Sequence, residues 1–127
     1  MNQNGGKVYI VDDDESIRKS LSRLLRASGF EVSTFVSAFD FLKENPVAEG
    51  ACMLLDIRMP GMTGLELLAR LKAEGCELPV VLITGDAEAS RDISANSSAL
   101  ACLHKPFQED ELLAVIHEGL SKWQKSN

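Results

Sequence analysis

No stretch of this sequence reaches the roughly 18 consecutive apolar residues that a membrane-crossing helix requires. Met1 to Lys7 is polar and lacks the apolar centre of a signal peptide. A soluble, cytoplasmic protein is the expectation. Positive charge is also short: 13 Lys and Arg stand against 19 Asp and Glu, a formal net charge of −6. That balance argues against a segment that itself grips a phosphate backbone, which calls for a basic face. Proteins and small ions are the expected partners, with no nucleic acid and no membrane. Cysteine is scarce. Cys52, Cys76 and Cys102 cannot all pair with one another, and none stands in a CxxC-type metal spacing. Buried free thiols in a reducing compartment are the plain reading. No internal repeat or low-complexity linker divides the chain, and 127 residues at 45% apolar content fit a single core. The expected layout is a tail over residues 1–6, one folded domain over 7–122 and a C-terminal tail over 123–127.

What is present is a series of short apolar runs that end abruptly in polar residues. Val8 to Val11 is β-favouring and stops at Asp12-Asp13-Asp14. From Ser16, the residues Ile17, Leu21, Leu24 and Leu25 fall on one helical face, with Arg18, Lys19, Arg23 and Arg26 opposite and Gly29 as the stop. Phe30 to Phe35 alternates like a strand near an edge, and Ala38 to Lys43 reads as a short helix ended by Asn45-Pro46. Cys52 to Leu55 is a third strand ending in Asp56. After the Met59-Pro60-Gly61 turn a helix spans roughly Leu65 to Ala73, with Leu65, Leu68 and Leu71 as its inner face. Pro79 to Ile83 ends at Thr84-Gly85, and Leu100 to Leu103 ends near Lys105-Pro106, with a weaker helix over Ala87 to Ser97 between them. A last helix after Phe107 has Glu109, Asp110 and Glu111 in its first turn, where the helix dipole favours anions, and buries Leu112, Leu113, Ile116 and Leu120. Strands alternating with helices, most of them apolar on both faces, imply an α/β fold: a parallel sheet covered on both sides.

In such sheets functional groups collect at the carboxyl ends of the strands, where strand order reverses. Here Asp12 and Asp13 leave the first strand, Asp56 the third, Thr84 the fourth and Lys105 the fifth, so four strands deliver polar groups to one edge. Each alone has an ordinary explanation, a solvated acidic loop or a strand-end hydroxyl or amine; their arrival in order at successive strand ends does not. Three converging carboxylates repel one another, which a bound cation relieves. Oxygen-only ligation by few protein groups suits Mg²⁺. Beside a cation Asp56 is placed to attack phosphorus in line, Thr84 to donate to a phosphoryl oxygen and Lys105 to pair with the carboxylate and then with the phosphate.

The motifs Val11-Asp12-Asp13-Asp14, Leu55-Asp56-Ile57-Arg58-Met59-Pro60-Gly61-Met62-Thr63-Gly64, Ile83-Thr84-Gly85 and Lys105-Pro106-Phe107 resemble the receiver domains of two-component response regulators. The similarity runs from about Lys7 to Leu120, and its flavour is that of the receivers preceding DNA-binding domains in FixJ-like regulators. The resemblance implies a flavodoxin-like (CheY-like), doubly wound, five-stranded parallel sheet in three α/β/α layers. It implies Asp56 as phosphoacceptor, Asp13 as a direct metal ligand, Asp12 as a ligand through water and the Arg58 backbone carbonyl as a further ligand. Thr84 would be the switch hydroxyl and Lys105 the phosphate-binding lysine, with Mg²⁺ as cofactor and Mn²⁺ as a substitute. A sensor histidine kinase or a small donor such as acetyl phosphate would supply the phosphoryl group, and the domain would catalyse only its own phosphorylation and dephosphorylation. Neither His104 nor His117 resembles the donor histidine.

Two departures stand out. Receivers usually carry Tyr or Phe three residues before the strand-five lysine, where this chain has Cys102; a small thiol cannot present the same surface. In the segment Ser94 to Ala99, Ser98 replaces the usual glycine, so the Ala87 to Ser98 region is expected to be mobile and to reorder on phosphorylation. Asp86 and Arg58 are expected at the rim of the site, Asp86 having a helix-capping acid as its ordinary explanation. The resemblance also implies a dimer through the helix at 87–97, the fifth strand and the last helix. Rival functions fare worse. A flavodoxin would not place Asp12-Asp13-Asp14 against its phosphate, and a haloacid-dehalogenase-like phosphatase needs an Asp where Arg58 stands. A receiver that serves as a phosphorylation-independent interaction module is the remaining alternative.

Overall fold

The computed structural model describes residues 6–85 and 98–124. Asp86 and the helix expected over Ala87 to Ser97 lie outside the described residues. Five parallel strands, β1 (Lys7–Val11), β2 (Glu31–Phe35), β3 (Ala51–Asp56), β4 (Val80–Thr84) and β5 (Ala101–His104), form one sheet in the order β2-β1-β3-β4-β5. This is the doubly wound 2-1-3-4-5 order, whose switch point lies between β1 and β3. The described helices are α1 (Glu15–Ala27), α2 (Ala38–Glu44), α3 (Gly64–Ala73) and α4 (Glu109–Ser121).

Because successive strand residues point to opposite faces, each central strand feeds two cores. Val8, Ile10, Leu54, Val81 and Ile83 pack with Leu21 and Leu25 of α1 and Leu112, Ile116 and Leu120 of α4. Tyr9, Val11, Met53, Leu55 and Leu82 pack on the other side with Phe41 of α2 and Leu67, Leu68 and Leu71 of α3. All six residues of β3 are buried, which is why its apolar run shows no alternation. β2 lies at the sheet edge, as its alternating pattern suggested.

The inner face of α3 differs from the expectation. Its buried residues are Gly64, Leu67, Leu68 and Leu71, and Leu65 is 37% exposed. The helix begins at Gly64, fixed by a capping box in which the Thr63 hydroxyl accepts from Glu66 N–H and the Glu66 carboxylate accepts from Thr63 N–H. From that start the 64, 67, 68, 71 stripe is the continuous helical face. Beyond Leu120 the chain forms a 3₁₀ turn, Lys122–Gln124, and the Trp123 indole N–H donates to the Ala51 carbonyl at 2.8 Å while its ring packs on the core. The three cysteines are free. Cys52 is fully buried and desolvation pushes its thiol up to about 12, in keeping with an inert packing group.

Candidate functional site

The site is built where β1 and β3, neighbours across the switch point, both end. In register Val11 pairs with Leu55, so the next residues, Asp12 and Asp56, emerge side by side. β4 and β5 pair Thr84 with His104, and the Lys105 N–H then donates to the Thr84 carbonyl at 2.7 Å, placing Lys105 next along the same edge. Parallel register thus converts four sequence-distant strand ends into one cluster.

One carboxylate oxygen from each of Asp12, Asp13 and Asp56 lies within 4.8 Å of the others. Asp12 and Asp56 are buried, at 1% and 8% exposure, and Asp13 is exposed. The acids are held by backbone donors. Asp14 N–H donates to Asp12 Oδ1 at 2.9 Å and Arg58 N–H to Asp56 Oδ1 at 3.2 Å. Asp14, whose carboxylate accepts from Ile17 N–H, caps α1. Among the described residues, the other, buried Asp12 oxygen, Oδ2, has no hydrogen-bond partner.

Charge at this edge is under tension. Desolvation and then the Asp12 charge push Asp56 up to about 6, against the opposing pull of the Arg58 N–H and Lys105. Asp12 is also raised, first by desolvation, with the Asp14 N–H and Lys105 lowering it and Asp13 raising it. A hard divalent cation fits this set. The donors are all oxygens, their mutual repulsion is only partly offset by Lys105 and the backbone N–H groups, and among the described residues a buried carboxylate oxygen has no hydrogen-bond partner.

A glycine makes the close packing here possible. A Cβ on Gly64 would overlap the Asp56 carbonyl oxygen and sit 2.9 Å from the Ile57 Cα. Only without a side chain can the start of α3 lie against the end of β3, where the Gly64 N–H donates to the Ile57 carbonyl at 3.0 Å. The sequence quoted Gly64 as part of a motif without revealing this contact.

Residues 8–117 match the family described as the response regulator receiver domain. The chain is a response regulator receiver domain. It is 38% identical over 116 residues to the transcriptional regulatory protein FixJ of Bradyrhizobium diazoefficiens, covering 91% of this chain and 57% of that protein. Among solved structures, the response regulator StyR superposes with a TM-score of 0.85 at 40% identity, over 94% of this receiver and 61% of that chain. TrrA of Thermotoga maritima, solved in complex with Mg²⁺ and BeF, superposes with a TM-score of 0.78 at 27% identity, over 89% of this receiver and 97% of that chain. The receiver therefore spans little more than half the length of the curated FixJ and TodT regulators it matches. Receiver domains of this family work with histidine kinases, and no helix among the described residues is long and apolar enough to cross a membrane.

Asp12, Asp13, Asp56, Thr84 and Lys105 all reach the same edge of the receiver. Arg58 is exposed beside them, its N–H on Asp56. Cys102 lies lower on β5, half-buried against the α2–α3 side of the core and paired in register with Leu82. Sequence reasoning missed Arg18, assigned to the outer face of α1. Its guanidinium instead donates to the Asp12 carbonyl at 2.7 Å.

Proposed function

We propose that this receiver accepts a phosphoryl group on Asp56 and uses the resulting conformational change to control an output. The observation that carries the reading is the convergence of Asp12, Asp13 and Asp56 within 4.8 Å at the mouth of β1 and β3. Asp56 serves as nucleophile: its carboxylate oxygen forms the bond to phosphorus as the bond from phosphorus to the donor nitrogen or acyl oxygen breaks. The Arg58 N–H on Asp56 Oδ1 orients that carboxylate. Asp13, Asp56 and the Arg58 carbonyl would hold Mg²⁺, with Asp12 assisting through water, and Mn²⁺ would be a working substitute. When bound, the cation neutralises the acids and the incoming phosphoryl oxygens. Lys105 pairs with phosphoryl oxygen, and Thr84 donates its hydroxyl to another as the switch. Arg58, and Asp86 outside the described residues, tune donor access and hydrolysis, and Cys102 replaces the aromatic ring that usually follows the switch hydroxyl.

A sensor histidine kinase in the cytoplasm is the phosphodonor partner. A second copy docks through β5, α4 and residues 87–97 on activation. The segment itself contacts no nucleic acid, in keeping with its net charge of −6. Transcription is the output in a longer regulator of the FixJ kind. The test is intact mass after incubation with acetyl phosphate and Mg²⁺. One phosphoryl adduct is expected, absent with chelator and absent in Asp56→Asn. A folded protein that binds Mg²⁺ yet gains no mass would instead favour a phosphorylation-independent interaction module.

A further inference from the structure

We propose that Arg18 is a positioning residue for the metal site, a role that rests on the reading of Asp12 and Asp13 as cation ligands. Arg18 stands four residues after the Asp14 cap of α1, just past the first turn. Its side chain is half-buried and turns back toward the strand end, where Nη1 donates to the Asp12 carbonyl at 2.7 Å, a short charge-assisted bond.

That carbonyl belongs to the peptide plane joining Asp12 to Asp13. The Asp12 side chain is already fixed from the other direction by the Asp14 N–H, and the Asp12 N–H is tied to the Phe35 carbonyl at 3.2 Å. The bond from Arg18 fixes the remaining degree of freedom, the orientation of the plane from which the exposed Asp13 carboxylate projects. Without it Asp13 can swing away from Asp12 and Asp56, the direction in which carboxylate repulsion already drives it. The guanidinium therefore stores the three-acid arrangement before the cation arrives.

The test is calorimetric titration of the metal-free protein with MgCl₂, for wild type, Arg18→Met, Arg18→Lys and Arg23→Met. Arg18→Met keeps the stem and removes the donor. It is expected to weaken Mg²⁺ binding about tenfold, the scale typical of losing a residue that orients a metal ligand. Arg18→Lys, with one ammonium donor, recovers part of the loss. Arg23→Met removes a charge from the same helix without touching the loop and binds as wild type. At saturating Mg²⁺ the acetyl phosphate adduct forms on Arg18→Met at close to the wild-type rate, which separates metal positioning from the transfer step. Unchanged Mg²⁺ affinity in a folded Arg18→Met, or an equal loss in Arg23→Met, would overturn the proposal. Failure of the wild type to bind Mg²⁺ would instead strike at the reading of the acid cluster.

Discussion

Burial and the neighbouring Asp12 charge hold Asp56 at about 6, above the 3.8 of an ordinary aspartate. The folded state therefore binds this proton more tightly than the unfolded state does. The resulting stabilisation is fully present below about pH 4, declines as pH rises and is lost above about 6. At neutral pH the metal-free chain folds with a charge it would rather neutralise, a cost of about 2–3 kcal/mol for a shift of this size once solvent screening is allowed for. Asp56→Asn should then be more stable than wild type by about that amount at pH 7 in chelator, and close to equal at pH 4. Urea unfolding at the two pH values checks it; equal stability at both would mean that Asp56 is not strained by its neighbours. The acids themselves were legible in the sequence, because a buried strand announces its end by its first polar residue. Arg18 was not, since its partner is a backbone carbonyl that no side-chain pattern encodes.

At the scale of elements, the five strands were readable as apolar runs, and helical periodicity with the Met59-Pro60-Gly61 turn placed the starts of α1 and α3 at Ser16 and Leu65, each within a residue of the Glu15 and Gly64 found. The face of α3 was read with Leu65 inward because Gly64, a poor helix former, gave no sign that the helix begins there. The reason for that glycine is tertiary: the contact with the Asp56 carbonyl oxygen leaves no room for a Cβ. Gly64→Ala must displace either α3 or the end of β3, and a loss of about 1–3 kcal/mol is expected, as for other overpacked sites. Because the displaced atoms include the Asp56 backbone, the adduct should also form more slowly at saturating Mg²⁺. Denaturant unfolding and a mass-based time course read the two effects. Wild-type stability in Gly64→Ala would show that the contact relaxes freely.

For the whole molecule, the order β2-β1-β3-β4-β5 is what turns scattered residues into a site, since it alone makes Asp12 and Asp56 neighbours. That order followed from the alternation of strands and helices together with the family resemblance, not from any local pattern. The C-terminal turn was hidden for the opposite reason. Residues after Leu120 read as polar, yet Trp123 closes the far end of the sheet through Ala51, a partner 72 positions away. With the acids at one end of β3 and this indole at the other, the strand that carries Asp56 is held at both limits. On the proposed function, phosphoryl transfer ends on Asp56 and not on the adjacent acids. Borohydride reduction of the acetyl phosphate-treated receiver, followed by peptide mapping, converts an acyl phosphate to the corresponding alcohol and marks its site. Homoserine at position 56 alone is the predicted result; a mark at Asp12 or Asp13, or none on a protein that has gained the phosphoryl mass, would contradict it.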